Sequence, residues 1–210
     1  MKDLFILGAG GFGREVLGWL KDLPDYNVKW KVAGFLDDNK KALDRFDIPY
    51  KVECTLTDWS PKTDALYVCA LGKPEVKQRI CRQMLESGAT FISLIHPSSI
   101  IGDRVTLGQG VVICPRVTLT CDVKVGDFAM INCHSSAGHD SSVGSWATIS
   151  AHCDLTGGTR VGDSAFLGSG VSIIPSKSVG KNAVVGAGSV VIRSVPDGVK
   201  VFGNPARQFS

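Results

Sequence analysis

From Ile101 to Val191 the chain places an apolar residue at every sixth position, and the register never slips. Of these sixteen positions, fifteen are Ile, Leu or Val, and the exception, Ala137, is still apolar. The residue two before each is small or apolar in most hexads, as at Val105, Val111, Val117, Val123, Ala129, Ala147, Cys153, Ala165 and Val171. Residues two apart on a strand face the same way, so both sets point inward. A fixed six-residue period is the signature of a parallel β-helix. Three hexads make a triangular turn, so 3 × 6 = 18 residues complete a coil, and about five coils at the usual strand spacing form a prism roughly 25 Å tall. Each coil buries its apolar face against its neighbours. Nine hexads carry Gly directly after the aliphatic residue, and these glycines are expected to let the backbone turn there without a Cβ penalty.

The first ninety residues follow a different rhythm. Leu4–Leu7 is a short buried-strand pattern that runs into Gly8-Ala9-Gly10-Gly11-Phe12-Gly13 and then a helical stretch from Arg14 to Leu20. Strand, glycine turn and helix form the context in which a GxGxxG pattern cradles a phosphate. A second strand, Trp30–Leu36, ends in Asp37-Asp38, where such folds place an acid that reads a ribose or base. A third, Ala65–Ala70, precedes Gly72-Lys73-Pro74 and a helix to Ser87; a fourth is expected over Thr90–Ile95. Alternating strands and helices imply a small parallel sheet covered by helices. Gly10, Gly11, Phe12, Asp37, Asp38 and Gly72 then gather at the carboxyl edge of that sheet. A redox dinucleotide, the nucleotide end of an activated substrate, or a glycine turn that only packs a helix all remain compatible. The absence of a second mononucleotide half disfavours the first.

Composition narrows the class. The 210 residues are 44% hydrophobic and 20% charged with a net charge of +3, an ordinary globular balance with no basic run that would mark a nucleic-acid surface. The opening apolar run is too short for a signal or membrane segment. The seven cysteines show no metal-type pairs and read as reduced thiols, so a cytoplasmic protein is expected.

The four histidines carry the candidate chemistry. His96 lies at the junction beside Pro97. His134 and His152 are 18 apart and should stack on adjacent coils, but their column continues with Arg116 and Gly170, so no metal site is predicted. His139 follows Ala137, the weakest hexad, and precedes Asp140, with Asn132 earlier in the coil. A local departure from the pattern can mark a functional site, and an imidazole beside a carboxylate suits general-base work at neutral pH. A surface histidine in a polar turn fits the same residues. Stacking arithmetic, 139 + 18 = 157, puts Gly157 next to His139.

Together the Gly8-Ala9-Gly10-Gly11-Phe12-Gly13-Arg14-Glu15-Val16 opening, Phe35-Leu36-Asp37-Asp38, Ile95-His96-Pro97-Ser98, the hexad array and the closing Phe202-Gly203-Asn204-Pro205-Ala206-Arg207 resemble one family. It is that of the sialic acid O-acetyltransferases and bacillosamine-type aminosugar N-acetyltransferases. The resemblance covers essentially the whole chain. It implies an α/β Rossmann-like nucleotide-sugar-binding domain over 1–95 and a left-handed parallel β-helix over 96–210. It also implies a homotrimer with acetyl-CoA held between neighbouring prisms. The family's catalytic histidine and the acid after it fall on His139 and Asp140, and its acetyl-positioning amide falls on Gly157. Cofactor contacts carry over to Thr148, Ser169 and Ala187. Contacts to a nucleotide-linked amino sugar carry over to Gly10, Gly11, Phe12, Asp37, Asp38 and Gly72, and Asn132 is counted with the substrate side. Two positions depart: some members have His in place of Phe12, and the bacillosamine type has a CoA-contacting His in place of Thr148. The expected activity is acetyl-CoA-dependent N-acetylation of a UDP- or dTDP-linked amino sugar, by direct transfer with His139 as base. Sugar O-acetylation by the same residues and a non-catalytic trimeric scaffold are the rivals.

Overall fold

The computed structural model describes residues 1–62 and 64–209. Its N-terminal part contains β1 (Lys2–Leu7), α1 (Gly11–Leu20), β2 (Trp30–Leu36), β3 (Val52–Cys54), β4 (Ala65–Cys69), α2 (Pro74–Glu86) and β5 (Thr90–Phe91). The strands form a parallel sheet in the order β3-β2-β1-β4-β5. Leu4, Ile6 and Leu7 of the central strand have no exposed surface, as expected of a parallel strand covered on both faces. Helix α1 buries Gly13, Val16, Leu17 and Leu20, a stripe at helical spacing. A Cβ on Gly13 would run into the Gly8 carbonyl, so this glycine sets how closely helix and strand approach.

Two expectations need correction, and one strand went unread in the sequence. Helix α1 starts at Gly11 rather than Arg14, which draws Gly11 and Gly13 into its first turn. The edge strand β3 is half-buried and only three residues long, too short to show a period. The apolar run Thr90–Ile95 is two strands in two sheets. Ile92 N donates to Tyr67 O in the N-terminal sheet, whereas Leu94 N donates to Val111 O in the prism. β6 (Leu94–Ile95) is thus the first strand of the prism. A short apolar run has no periodicity that would reveal such a change of sheet.

The prism is built from two-residue parallel strands, each paired with those 18 residues away, such as Thr118–Leu119 with Ser136–Ala137. Its three faces carry six-, five- and eight-stranded sheets, the last extended by the C-terminal segments Lys200–Phe202 and Arg207–Gln208. The face containing Leu94, Val112, Met130, Thr148, Phe166 and Val184 continues from β6 and receives helix α2. A second face carries Thr118, Ser136, Asp154, Ser172 and Val190, and a third carries Lys124, Ser142, Arg160 and Ser178. The hexad aliphatics line the interior; Leu119, Ile149, Leu167, Ile173, Val185 and Val191 have no exposed surface.

The glycines after those aliphatics have a different role from the one expected. Left-handed φ falls three residues after each aliphatic, at Arg116 (60°), Phe128 (54°), His134 (60°), Asp140 (60°), Trp146 (66°) and His152 (59°). The hexad glycines instead allow coils to touch: a Cβ on Gly126 would lie 2.6 Å from Ser145 N, and one on Gly162 2.6 Å from Lys181 N.

The two parts dock through an aromatic ladder and one buried cation. Tyr67 packs on Phe91, Phe91 meets Phe128 edge-on, and Phe128 stacks on Trp146 with centroids 4.5 Å apart. Lys77 of α2 is 1% exposed and donates to Ala147 O and to Thr148 Oγ1, both at 3.1 Å. Thr148 Oγ1 in turn donates to Gly72 O at 2.9 Å. Burial pulls the Lys77 ammonium down to about 8.

Candidate active site

His139 stands at the corner between the second and third faces, directly before the left-handed Asp140. On an extended strand adjacent side chains diverge, but the φ of 60° at Asp140 folds its carboxylate back. His139 Nδ1 and Asp140 Oδ2 are 2.8 Å apart. A proton on Nδ1 shared with that carboxylate leaves Nε2 as the acceptor. Both side chains are about two-thirds exposed, at 67% and 68%, so the pair is open to a ligand.

Gly157 lies one coil further on, against the ring. A Cβ built there would sit 2.5 Å from Nε2 and 2.8 Å from Cε1 of His139, so only glycine leaves the imidazole room. The amides either side of it are engaged: Thr156 N donates to Ile173 O and Gly158 N to His139 O. Among the described residues the Gly157 N–H donates to no acceptor. A free backbone donor beside a basic nitrogen can polarise a carbonyl while that nitrogen takes a proton.

The weak hexad is part of the same construction. Ala137 is 1% exposed and pairs with Leu119 and Leu155. Around it the inner layer is hydroxylated: Ser135 Oγ donates to Ser150 O and Ser141 Oγ to Thr156 O, both at 3.0 Å.

The remaining predicted residues divide into groups. Asn132, whose Oδ1 accepts from Cys133 N, shares a different corner of the prism with Ser169 and Ala187. One chain therefore does not bring these three to His139. Thr148 departs from its expected role. It is 4% exposed and sits under α2, because the N-terminal part covers its face; its hydroxyl holds Gly72 and Lys77 rather than lining an open cleft. His134 and His152 stack as the arithmetic required, with centroids 4.9 Å apart and planes 3° from parallel.

In the N-terminal part, Gly10, Gly11, Phe12, Asp37, Asp38 and Gly72 gather at the carboxyl edge of the sheet. No atom lies within 4 Å of where a Cβ on Gly10 or Gly72 would stand, so the space above both is open. Asp37 binds Ala9 N through Oδ2 at 2.7 Å and Asn39 N through Oδ1 at 2.8 Å. Asp38 Oδ1 accepts from Leu56 N at 2.9 Å. Both acids thus hold the loops of the crevice in place. Lys77 went unnoticed in the sequence, although it falls on the apolar stripe of α2 with Pro74, Ile80, Cys81 and Met84.

Comparison with known proteins agrees with this architecture. Residues 3–84 match the PglD N-terminal domain and residues 158–193 the hexapeptide repeat of succinyl-transferase. The chain is thus similar to a PglD-type domain in its N-terminal part and to hexapeptide-repeat transferases in its prism. It is 30% identical over 142 residues to GDP-perosamine N-acetyltransferase of Escherichia coli O157:H7, covering 64% of this chain and 61% of that one. It is 32% identical over 117 residues to UDP-N-acetylbacillosamine N-acetyltransferase of Bacillus subtilis (strain 168), covering 54% and 51%. The matches thus span between half and two thirds of the length of these curated relatives. PerB from Caulobacter crescentus, solved with CoA and GDP-perosamine, superposes with a TM-score of 0.86 at 29% identity over 100% of this chain and 98% of that one.

Proposed function

We propose that this protein transfers the acetyl group of acetyl-CoA to the amino group of a nucleotide-linked amino sugar. The observation that carries this reading is the contact of His139 Nε2 with Gly157, whose amide is free, while Nδ1 is held by Asp140. The amine nitrogen attacks the thioester carbonyl as Nε2 accepts its proton. The Asp140 carboxylate stabilises the imidazolium, and the Gly157 N–H donates to the carbonyl oxygen as charge develops on it. When the C–S bond breaks, the thiolate leaves and takes the proton from Nε2. The amide is formed with no acyl-enzyme. The open crevice over Gly10, Gly11 and Gly72 takes the nucleotide and diphosphate, with Phe12, Asp37 and Asp38 beside it, so residues 1–95 bind the donor of the amine and 96–210 perform the transfer. The relatives are named for GDP- and UDP-linked sugars, which supports the class of acceptor, an amine, over the hydroxyl of an O-acetyltransferase.

We also propose that the protein is a homotrimer. Asn132, Ser169 and Ala187 share a corner that does not adjoin His139 in one chain, and a neighbouring prism related by a threefold axis brings one corner type against the other.

The test is thiol release from acetyl-CoA with a panel of UDP-, dTDP- and GDP-linked amino sugars and their hydroxyl analogues. Release with the amines, abolished in His139→Ala with the assembly intact, supports the reading. Full activity in His139→Ala refutes the mechanism, and release only with the hydroxyl analogues makes the protein an O-acetyltransferase.

A further inference from the structure

Lys77 stands where elementary electrostatics opposes a cation. It is 1% exposed and lies in the first turn of α2, where the positive end of the helix dipole repels it. It forms no salt bridge among the described residues, and the ionisable groups facing it are the thiols of Cys69 and Cys81. Held near 8, it is still a cation at neutral pH. A buried ammonium recovers its lost hydration by pairing with an anion or by donating hydrogen bonds, and Lys77 relies on the second. The rest of its stripe is Pro74, Ile80, Cys81 and Met84, so an apolar side chain of similar length would pack this junction without the penalty. What the charge adds is found where its hydrogen bonds lead.

They lead to the crevice. Lys77 Nζ donates to Thr148 Oγ1, and the Thr148 hydroxyl donates in turn to Gly72 O; a charged first donor strengthens the second bond of such a chain. A peptide unit is planar and trans, so a Gly72 carbonyl held down on the prism aims the Lys73 N–H the opposite way. That N–H meets no acceptor among the described residues. Lys73 is the N-cap of α2, extended at φ −78° and ψ 118°. Gly72 offers no packing of its own, with no atom within 4 Å of a Cβ position, so the hold on this peptide comes from the prism. Helices α1 and α2 start from the adjacent strands β1 and β4, and their chains run on to β2 and β5 on opposite sides of the pair. This is the switch point at which a parallel sheet opens its crevice.

We propose that Lys77 is a positioning residue for the acceptor: through the Thr148 hydroxyl it holds the Gly72–Lys73 peptide so that the Lys73 N–H faces the crevice and donates to the bound nucleotide sugar. This rests on the reading of the crevice as the acceptor site. The test compares the native protein with Lys77→Met, Thr148→Val, Thr148→Ser and the double variant Lys77→Met/Thr148→Val. Steady-state kinetics and equilibrium binding are measured with UDP-, dTDP- and GDP-linked amino sugars, the binding without acetyl-CoA. Cutting a charge-assisted relay should raise both KM and Kd for the amino sugar roughly tenfold or more, with kcat and the KM for acetyl-CoA held within about twofold. Thr148→Ser keeps the hydroxyl and stays near native. The double variant binds no more weakly than the weaker single one, because both changes cut the same chain. Thr148→Val preserves shape and carries the test if Lys77→Met does not fold. Unchanged binding, additive losses, or an equal rise in both KM values overturns the inference and leaves the acetyltransfer reading standing. A rise in the KM for acetyl-CoA alone assigns Thr148 to the cofactor and also overturns it. Binding that weakens as expected in a protein that transfers no acetyl group upholds the inference and removes the acetyltransfer reading. A native protein that binds none of the three sugars removes the crevice reading and the inference with it.

Discussion

Two corners of the prism share one backbone geometry and use it differently. At the corner between the third face and the face under α2, side chains cap the exposed amides one coil after another. Gln109 N donates to Asp127 Oδ1, Asp127 N to Ser145 Oγ and Ser145 N to Asp163 Oδ1, at 2.9, 3.1 and 3.0 Å, and Lys181 N donates to Asp197 Oδ1 at 2.8 Å. At the His139 corner the residues at the equivalent steps are Cys121, His139, Gly157 and Pro175. There no side chain caps the amides of Cys121, His139 or Gly157 among the described residues. Satisfied donors stabilise the first corner, while an unused donor beside a basic nitrogen at the second is available to a reacting carbonyl. A solenoid can thus separate stability from chemistry by corner, because each column is read by its own side chains.

Perturbing His139 itself carries the largest expected effect. His139→Ala removes the base and should lower kcat/KM for transfer by roughly a hundred- to ten-thousand-fold, with the circular dichroism spectrum and melting temperature nearly unchanged. Gly157→Ala comes next. Its Cβ would press on the imidazole, and displacing both ring and donor should cost on the order of a hundredfold in kcat; activity within threefold of native would exclude Gly157 from the oxyanion contact.

The junction offers a smaller, pH-dependent signal. The folded state holds Lys77 near 8 against an ordinary 10.5, so between these values the unfolded chain binds more protons and stability rises with pH. The gain is complete above the unfolded value and is lost as pH falls to about 8, amounting to at most about 3 kcal/mol. Denaturant titrations across this window should show the slope in the native protein and its loss in Lys77→Met. The smallest effect belongs to the capped corner: Asp127→Ala should cost about 1 kcal/mol, a drop of a few degrees in melting temperature, with transfer kinetics unaltered.

Much of the candidate site was legible because a repeat turns long-range contacts into arithmetic. A separation of 18 stacked His134 on His152 and His139 on Gly157, and one substitution in the aliphatic series drew attention to Ala137. The glycine turn and Asp37-Asp38 were recognisable because a strand, a glycine turn and a helix have a local signature. The glycines after each aliphatic were placed correctly in sequence but assigned the wrong physics, since a one-dimensional pattern cannot tell a glycine needed for its φ from one needed because the next coil lies against it.

By itself the sequence determined the period, the inward set of side chains and which residues stack, since all three follow from a regular backbone. Tertiary structure decided what lies against the outside of that backbone. It buried Thr148 because helix α2 covers its face, and divided Thr90–Ile95 between two sheets because Leu94 finds its partner in Val111. It also joined Asp140 to His139, because the corner takes a left-handed φ that turns a diverging neighbour into a hydrogen-bond partner. Docking faces and corner dihedrals depend on what packs against them, and no repeat encodes that.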